Sequence, residues 1–215
     1  MGLRRVGIYG GTFDPVHNGH LEVARRVLEL FELDEVIFVP ACVPPHKRNA
    51  NITSAFHRFA MVALATEADQ RLLVSTIELD APDRPYAVDT VARMLDEARR
   101  LFFIIGADSW SEITTWHEWQ RLVRMCDLIV VTRPGHVVEA QVDNFVDVRG
   151  AGVRAVVGRV ENEANARVFL TDIAMIDVAA TDIRAAVRTG DFEKLRARVP
   201  PSVAGYIEKH GLYKN

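Results

Sequence analysis

Short apolar runs alternate with longer amphipathic stretches along this chain, and this alternation restricts the possible folds more than any other feature. The apolar runs are Arg5–Tyr9, Glu35–Val39, Leu101–Ile105 and Asp127–Thr132. Helical spacing occurs between and after them, at Leu21–Phe31, Ser54–Ala68, Val88–Arg100 and, as a broken helix, Asp108–Val123. Strands that alternate with helices form a parallel sheet whose right-handed crossovers place helices on both faces. We therefore predict an α/β fold with a doubly wound parallel sheet.

The alternation of strands and helices is less regular in the remaining segments of the chain. The segment Leu72–Leu79 alternates like a strand, and Val168–Ala179 is strand-like as well. Glycines interrupt residues 136–166, where we expect a helix, a loop and a short strand or hairpin. Three helices follow, at Thr181–Thr189, Phe192–Arg198 and Ser202–His210. We predict a main domain over residues 1–180 and a small helical subdomain of the same unit over 181–215.

Bulk composition indicates an ordinary globular protein. The 215 residues are 49% hydrophobic and 26% charged, so the chain can bury a core without disulfides or structural metal. A net charge of −3 shows no basic excess of the kind that nucleic-acid binding requires. The two cysteines favour a reducing compartment, and neither a signal peptide nor a membrane span is evident. We expect a cytoplasmic protein with no membrane or nucleic-acid partner; its oligomeric state stays open, a homo-oligomer included.

Glycine and polar residues cluster where the predicted strands end. They are Gly10-Gly11, Pro40–Lys47, Gly106–Asp108 and Arg133–Gly135. The carboxyl ends of parallel strands share one edge of the sheet, and ligands of such folds bind there. The sequence therefore predicts a ligand site at this edge.

The loop after the first strand, GGTFDPVHNGH, carries the strongest chemical signal. It is neither the dinucleotide fingerprint nor the P-loop. Glycines let a polyphosphate approach the backbone, and a helix N-terminus favours an anion. His17 and His20 share a helix face, so both can donate hydrogen bonds to one phosphate group. A tight turn with capping or packing histidines is the alternative for each residue alone, but the joint pattern favours nucleotidyl transfer.

This segment resembles the HxGH nucleotidylyltransferase superfamily, and its full length is similar to the bacterial nicotinate mononucleotide adenylyltransferase family. The resemblance implies a Rossmann-like fold and transfer of AMP from ATP to nicotinate mononucleotide by direct in-line attack. The products are nicotinate adenine dinucleotide and pyrophosphate, within NAD biosynthesis. It also implies that His17 lies by the ATP phosphates and that His20 assists transition-state stabilisation. The motif occurs in phosphopantetheine adenylyltransferases and in glycerophosphate or choline-phosphate cytidylyltransferases too, so it defines the reaction better than the substrate.

A second motif, VAATDIR, resembles the superfamily's ISSTxIR, with Ala179 and Ala180 in place of two serines. We expect Thr181 to cap a helix and Arg184 to reach back to the helix start, where together they bind phosphates. A common helix cap with an exposed arginine is the alternative for this string alone. The ATP-binding residues that the resemblance implies are Gly10, Gly11, Thr12, Phe13, Gly106, Asp108, Thr181, Ile183 and Arg184.

Five further residues are implied to bind nicotinate mononucleotide: Lys47, Tyr86, Thr90, Trp116 and Arg133. Lys47 lies in a PPHK loop, and Arg133 precedes Pro-Gly, as in the family. Asp89 and Thr90 are expected to open a helix whose amides hold the nicotinate carboxylate, and Trp116 to stack on the pyridine ring.

Two further residues near these motifs have structural interpretations. Trp119 has the spacing of a packing residue. Arg58, near the start of the second helix, is expected to form a structural ion pair.

We expect Mg²⁺ to arrive with ATP, with no permanent prosthetic group and no metal held by the protein, since no CxxC or HExxH spacing occurs. Two rival hypotheses remain. One is a sister transferase that uses phosphopantetheine, nicotinamide mononucleotide or another acceptor. The other is a nucleotide-binding module that has lost catalysis, as the Ala179-Ala180 replacement allows.

Overall fold

The computed structural model describes residues 3–42, 52–81, 85–133, 135, 137–161, 165–173 and 178–214. Within these ranges seven strands form one sheet in the order β3-β2-β1-β4-β5-β7-β6, and every neighbouring pair is parallel. The strands are β1 (Arg4–Gly11), β2 (Glu35–Pro40), β3 (Leu72–Val74), β4 (Arg99–Gly106), β5 (Asp127–Val131), β6 (Phe145–Asp147) and β7 (Val168–Thr171). The predicted α/β fold is confirmed.

Helices cover both faces of this sheet. They are α1 (Asn18–Leu30), α2 (Ala55–Thr66), α3 (Ala87–Met94), α4 (Ala107–Ser111), α5 (Trp119–Met125), α6 (Val153–Glu161), α7 (Ala180–Arg188), α8 (Phe192–Arg198) and α9 (Pro201–His210). Side chains alternate along each strand, so Phe102 and Ile104 enter a core with α1, α2 and α6 to α9. Leu101 and Phe103 enter the second core, with α3, α4 and α5. The sheet is therefore doubly wound.

The strand order reverses between β1 and β4, which lie side by side at the centre of the sheet. The chain runs outward from β1 through β2 to β3, then returns to β4 and continues outward on the other side. A crevice forms at such a switch point, beyond the carboxyl ends of the two strands. Gly11 ends β1 and Gly106 ends β4, so the motifs predicted to bind ligand meet at this crevice.

The predicted helix Val88–Arg100 is wrong at its end, because α3 stops at Met94 and β4 already begins at Arg99. A turn at Asp96 separates the two elements. Its carboxylate accepts a hydrogen bond from the Ala98 amide at 2.9 Å, and its carbonyl accepts one from Arg99 at 3.1 Å. Local side-chain bonding of this kind competes with helix formation, which apolar spacing alone does not register.

Three other predicted boundaries or pairings also differ from the structure. The strand predicted over Leu72–Leu79 ends at Val74, because the Asp80 amide bonds the Thr76 carbonyl at 2.9 Å and forms a turn. Residues 136–166 contribute β6 and α6, and β6 pairs in parallel with β7 rather than in a hairpin. The helix predicted from Thr181 begins at Ala180 with Ala179 as its N-cap, so the expected Thr181 cap is wrong.

The last three helices pack into the same core as α1 and α2. Ile183, Leu195 and Ile207 are buried there, and the Ser202 hydroxyl donates to the Leu64 carbonyl at 3.1 Å. The division between residues 180 and 181 stays a prediction. Across the described ranges, none of the helices combines the length and the apolar character that a membrane span requires.

Candidate active site

The loop after β1 brings the two motif histidines face to face at the start of α1. Their rings stack with centroids 3.6 Å apart, and His17 is the N-cap residue of the helix. The backbone N–H of His17 donates to Nδ1 of His20 at 3.2 Å. Phe13 packs edge-on against the His20 ring at 5.0 Å and limits its rotation. The predicted pairing of the histidines at one helix terminus is therefore present.

Both histidines are neutral near pH 7. Burial lowers the pKa of His17 to about 4, and its side chain is only 7% exposed. Burial, and secondly the charge of His17, lowers the pKa of His20 well below its usual value. Because Nδ1 of His20 accepts a hydrogen bond, its ring proton lies on Nε2, which is then a neutral donor. Nδ1 of His17 is buried and has no hydrogen-bond partner among the described residues.

The buried histidines should make stability depend on pH. The unfolded chain binds a proton at His17 near pH 6.5, whereas the folded chain resists it until about pH 4, so protons favour unfolding between these values. We expect His17 to contribute about 3 kcal/mol of unfolding free energy at pH 7 that is lost as the pH falls from 6.5 to 4. Urea unfolding from pH 4 to 7 measures it. In His17→Asn, whose side chain does not titrate, the slope should be shallower, and an equal slope would contradict the assignment.

Gly11 must be glycine for the loop to close. A Cβ at this position would lie 2.7 Å from the Phe13 ring. Phe13 itself is buried and adopts a positive φ of 48°, so its ring belongs to the core and only its backbone faces the loop. Gly106 differs, since none of the described residues other than its chain neighbours has an atom within 4 Å of a Cβ built there. The open space beside Gly106 belongs to the crevice.

The second motif meets the first at the start of α7. Nη1 of Arg184 donates to the Asp14 carbonyl at 2.7 Å, and Nη2 donates to Oγ1 of Thr181 at 3.2 Å. The contact with Thr181 is the return to the helix start that the motif predicts, whereas the contact with Asp14, which joins the α7 terminus to the histidine loop, was not predicted. Ile183 is fully buried in the core, so its side chain packs and only its backbone can meet a ligand.

A cavity of about 420 Å³ opens beside Gly10 and Gly11. This is the size of a small-molecule site. Aromatic side chains form much of its wall: Phe103, Trp116, His117 and Tyr86. Phe103 and Trp116 meet edge to face at 6.4 Å, and the rings of Tyr86 and His117 lie 4.3 Å apart. Gly10, Gly11 and Thr12 line this cavity and lead directly to the histidines, so cavity and histidine loop form one site.

Helix α3 begins at this cavity, earlier than expected. The amides of Asp89 and Thr90 both bond the Tyr86 carbonyl at 3.0 Å, so they are not the free amides that the sequence predicted. The first two amides, of Ala87 and Val88, have no acceptor within the helix, and Ala87 lines the cavity. Thr90 is 1% exposed, and its hydroxyl donates at 2.8 Å to Glu78, which also lines the cavity. Burial raises the pKa of Glu78. Glu78 is a residue of the cavity wall that was not predicted from the sequence.

The other predicted residues have diverse placements. Asp108 is exposed in the first turn of α4, and Arg133 is exposed just beyond β5, so both lie at the correct edge of the sheet but outside the cavity wall. Lys47 lies outside the described residues. Trp119 is half-buried and packs against the core, as expected. A second hollow of about 550 Å³, beside Arg93, contains none of the predicted site residues.

Arg58 holds the site together, although its predicted ion pair is wrong. It is 1% exposed, and its guanidinium donates to four backbone carbonyls, at 2.6 to 3.1 Å, rather than to a carboxylate. The carbonyls belong to Thr12, Ala41, Cys42 and Thr53. Buried positions on α2 include Arg58, Met61, Val62 and Ala65. The sequence thus contained a signal, an arginine on the apolar stripe of a helix, but its partners come from distant loops.

The doubly wound sheet and the paired histidines at a helix start define a nucleotidyltransferase, and the profile of the cytidylyltransferase-like family matches residues 8–186. A protein of Thermoanaerobacter sp. strain X514 is 39% identical over 98% of this chain and 94% of its own length. A protein of Thermus thermophilus is 38% identical over 98% of this chain and 100% of its own length. Both are named "probable nicotinate-nucleotide adenylyltransferase". The chain belongs to the cytidylyltransferase-like family and, within it, to the nicotinate-nucleotide adenylyltransferases, which confirms the resemblance that the motifs indicated.

Solved structures support the same fold. The nicotinic acid mononucleotide adenylyltransferase of Plasmodium falciparum, complexed with NaAD, superposes with a TM-score of 0.71 over 98% of this chain and 97% of that one. Its complex with APC gives a TM-score of 0.69. Sequence identity is 18% in both cases, so these structures show the fold alone.

Proposed function

We propose that the protein transfers AMP from ATP to nicotinate mononucleotide, giving nicotinate adenine dinucleotide and pyrophosphate. The observation that carries this proposal is the pair of stacked, neutral histidines joined through Gly10-Gly11 to an aromatic cavity of about 420 Å³. A phosphate chain over the two glycines would have His17 and His20 on one side. An acceptor ring would lie in the cavity on the other side.

In the proposed reaction, a phosphate oxygen of nicotinate mononucleotide attacks the α-phosphorus of ATP, and the bond to the β-phosphate oxygen breaks. The attacking group is already an anion, so no residue has to remove a proton from it. Positioning and charge stabilisation then dominate the rate. Nε2–H of His20 donates to an α-phosphate oxygen as charge grows there. Arg184, with the α7 terminus, binds the phosphates that leave as pyrophosphate.

Nicotinate recognition is proposed to use the start of α3. The unbonded amides of Ala87 and Val88 and the positive end of the helix dipole favour a carboxylate. Trp116 offers its face to the pyridine ring. Lys47 and Arg133 are proposed to bind the acceptor phosphate, and Thr90 acts through Glu78 rather than by contact. These roles support an acidic acceptor over an amide.

ATP is proposed to enter as its Mg²⁺ complex. Within the described part of the chain, no group of three histidine, cysteine, aspartate or glutamate side chains is arranged to hold a metal. Asp108, an exposed carboxylate in the first turn of α4, suits a cation carried mainly by phosphate oxygens, as is usual for Mg²⁺. The ion would neutralise charge on the phosphates.

An acceptor comparison tests the function. The protein, ATP and Mg²⁺ are mixed separately with nicotinate mononucleotide, nicotinamide mononucleotide and phosphopantetheine, and pyrophosphate release is followed. We expect the highest kcat/KM with the nicotinate compound. Faster turnover with another acceptor would instead identify a sister transferase, and no release with any acceptor would support a binding module.

Trp116→Ala should weaken acceptor binding selectively. Loss of a stacking face costs about 1–3 kcal/mol for a heteroaromatic ring, so KM for nicotinate mononucleotide should rise by a factor between about 5 and 150. KM for ATP should change less than about twofold, because Trp116 lies in the acceptor cavity. Steady-state kinetics measures both constants. Trp119→Ala is the matched control, since Trp119 packs in the core, and equal effects of the two variants would refute the stacking role.

A further inference from the structure

Tyr213 lies far along the chain from the histidine loop, yet its hydroxyl reaches into that loop. It donates to Oδ1 of Asp14 at 2.7 Å. Asp14 is the residue whose carbonyl accepts the hydrogen bond from Arg184. We propose that Tyr213 is a positioning residue for ATP: it fixes Asp14, and Asp14 fixes Arg184 for phosphate binding. The inference rests on the proposed function in one respect, the assignment of Arg184 to the phosphates of ATP.

Both carboxylate oxygens of Asp14, as well as its backbone carbonyl, accept hydrogen bonds. Its second carboxylate oxygen, Oδ2, accepts from the Thr53 amide at 3.3 Å. Thr53 in turn offers its carbonyl to Arg58 at 2.9 Å, and Arg58 also holds the Thr12 carbonyl at 2.7 Å. Asp14 is only 5% exposed, so its charge depends on these partners rather than on solvent. The loop is thus clamped between the start of α2 and Tyr213.

The backbone after α9 adopts a conformation that brings the Tyr213 hydroxyl to Asp14. Gly211 ends the helix with a left-handed conformation, φ 60°, and the Leu212 amide bonds the Ile207 carbonyl at 3.1 Å. Tyr213 then adopts a φ of 66°, which is uncommon for a residue with a Cβ. Such strain persists where surrounding contacts determine the conformation. Here the determining contacts are packing against the core and the bond to Asp14.

Electrostatics explains why the bond matters to ATP. The Asp14 carboxylate belongs to the same residue as the carbonyl that Arg184 contacts, so it is an anion that can compete with phosphate for the guanidinium. Hydrogen bonds from Tyr213 and Thr53 satisfy its two oxygens and leave Arg184 on the carbonyl. Burial, followed by the charge of Asp14, raises the pKa of Tyr213, which keeps the phenol a donor. Without the Tyr213 hydroxyl, the Asp14 carboxylate lacks one donor and can bind the Arg184 guanidinium in place of phosphate.

Tyr213→Phe tests the proposal, because it removes only the hydroxyl. We expect the Kd for a non-hydrolysable ATP analogue, measured by calorimetry, to rise about fivefold to tenfold. This is less than the direct loss of one hydrogen bond to a charged group would cause, because Tyr213 acts through Asp14 and Arg184. In kinetics, KM for ATP should rise equally while KM for nicotinate mononucleotide stays within about twofold. Tyr206→Phe is the matched control: it removes a phenol of α9 that bonds His57 at 2.9 Å, outside the site.

The outcomes separate the inference from the proposed function. Calorimetry needs no acceptor, so the role of Tyr213 is decided even where nicotinate mononucleotide is not the substrate. In an Asp14→Asn background the effect of Tyr213→Phe should shrink below about twofold, because no carboxylate remains to be held. An unchanged Kd in Tyr213→Phe overturns the proposal. So does an equal weakening in Tyr206→Phe, which would indicate general loosening of α9.

Discussion

His20→Ala is expected to lower kcat by about 10²- to 10³-fold, the usual effect of removing one preorganised donor from a charged transition state. The Nε2–H of His20 is the candidate donor, because Nδ1 already accepts from the His17 backbone. KM for ATP should change much less, since the proposed binding of ATP is shared among Gly10-Gly11, Arg184 and the start of α7. Pyrophosphate release under saturating substrates measures the effect.

Two further variants make this result specific. His20→Asn keeps an acceptor near the His17 amide but lacks the Nε2 donor, so it should lose about as much rate as the alanine variant. His57→Ala removes a histidine of α2 that bonds Tyr206 outside the site, and it should retain wild-type kcat. Wild-type turnover by His20→Ala would show that the proposed mechanism does not operate in this chain.

Arg58→Ala is expected to lower the free energy of unfolding by about 3–5 kcal/mol, the largest stability effect that we predict for a single substitution. The side chain is 1% exposed and is the donor to four carbonyls, which would be left buried without that partner. Arg58→Lys restores the charge but not the planar five-donor geometry, so it should recover only part of the loss. Urea denaturation measures the difference.

Arg26→Ala serves as the matched control on α1. Arg26 is half-exposed and pairs with Glu22 at 2.9 Å, and such surface pairs contribute about 1 kcal/mol or less. If Arg58→Ala were no more destabilised than this control, the four carbonyl contacts would not be structurally important. Arg58→Ala should also raise KM for ATP, because the Thr12 carbonyl that Arg58 bonds belongs to the loop after β1, which is proposed to bind the phosphates.

The two alanines of the second motif do not remove its main contacts. The backbone at Ala179 still starts α7, and Arg184 still reaches both Thr181 and the Asp14 carbonyl. The hypothesis of lost catalysis rested on these alanines alone. The geometry of the site thus favours an active enzyme, and the His20→Ala comparison tests that directly.

Local sequence patterns predicted helices and strands correctly where burial of apolar side chains determined the structure. Apolar runs such as Leu101–Ile105 became buried strands, because strands of a parallel sheet are covered on both faces and are therefore apolar throughout. Where a local side chain competed with the backbone, the predicted end of an element failed, as at Asp96 after α3. Hydrogen bonds to neighbouring amides outweigh apolar spacing at such points. The predicted start of α7 at Thr181 was one residue late, and no side-chain bond caps the helix there.

The sequence by itself determined the parallel α/β architecture and the pairing of His17 with His20, because the alternation of strands and helices along the chain, glycine spacing and helical periodicity are local properties. Arg184 and Trp116 were indicated by the resemblance of their motifs to those of the family. Only the tertiary structure decided that Arg58 bonds carbonyls, that Thr90 is bonded to Glu78, and that Tyr213 holds Asp14. Apart from the bond from Arg58 to Thr53, which lies 5 positions away, these contacts join residues 12 to 199 positions apart. No local pattern encodes which distant group a buried side chain will meet.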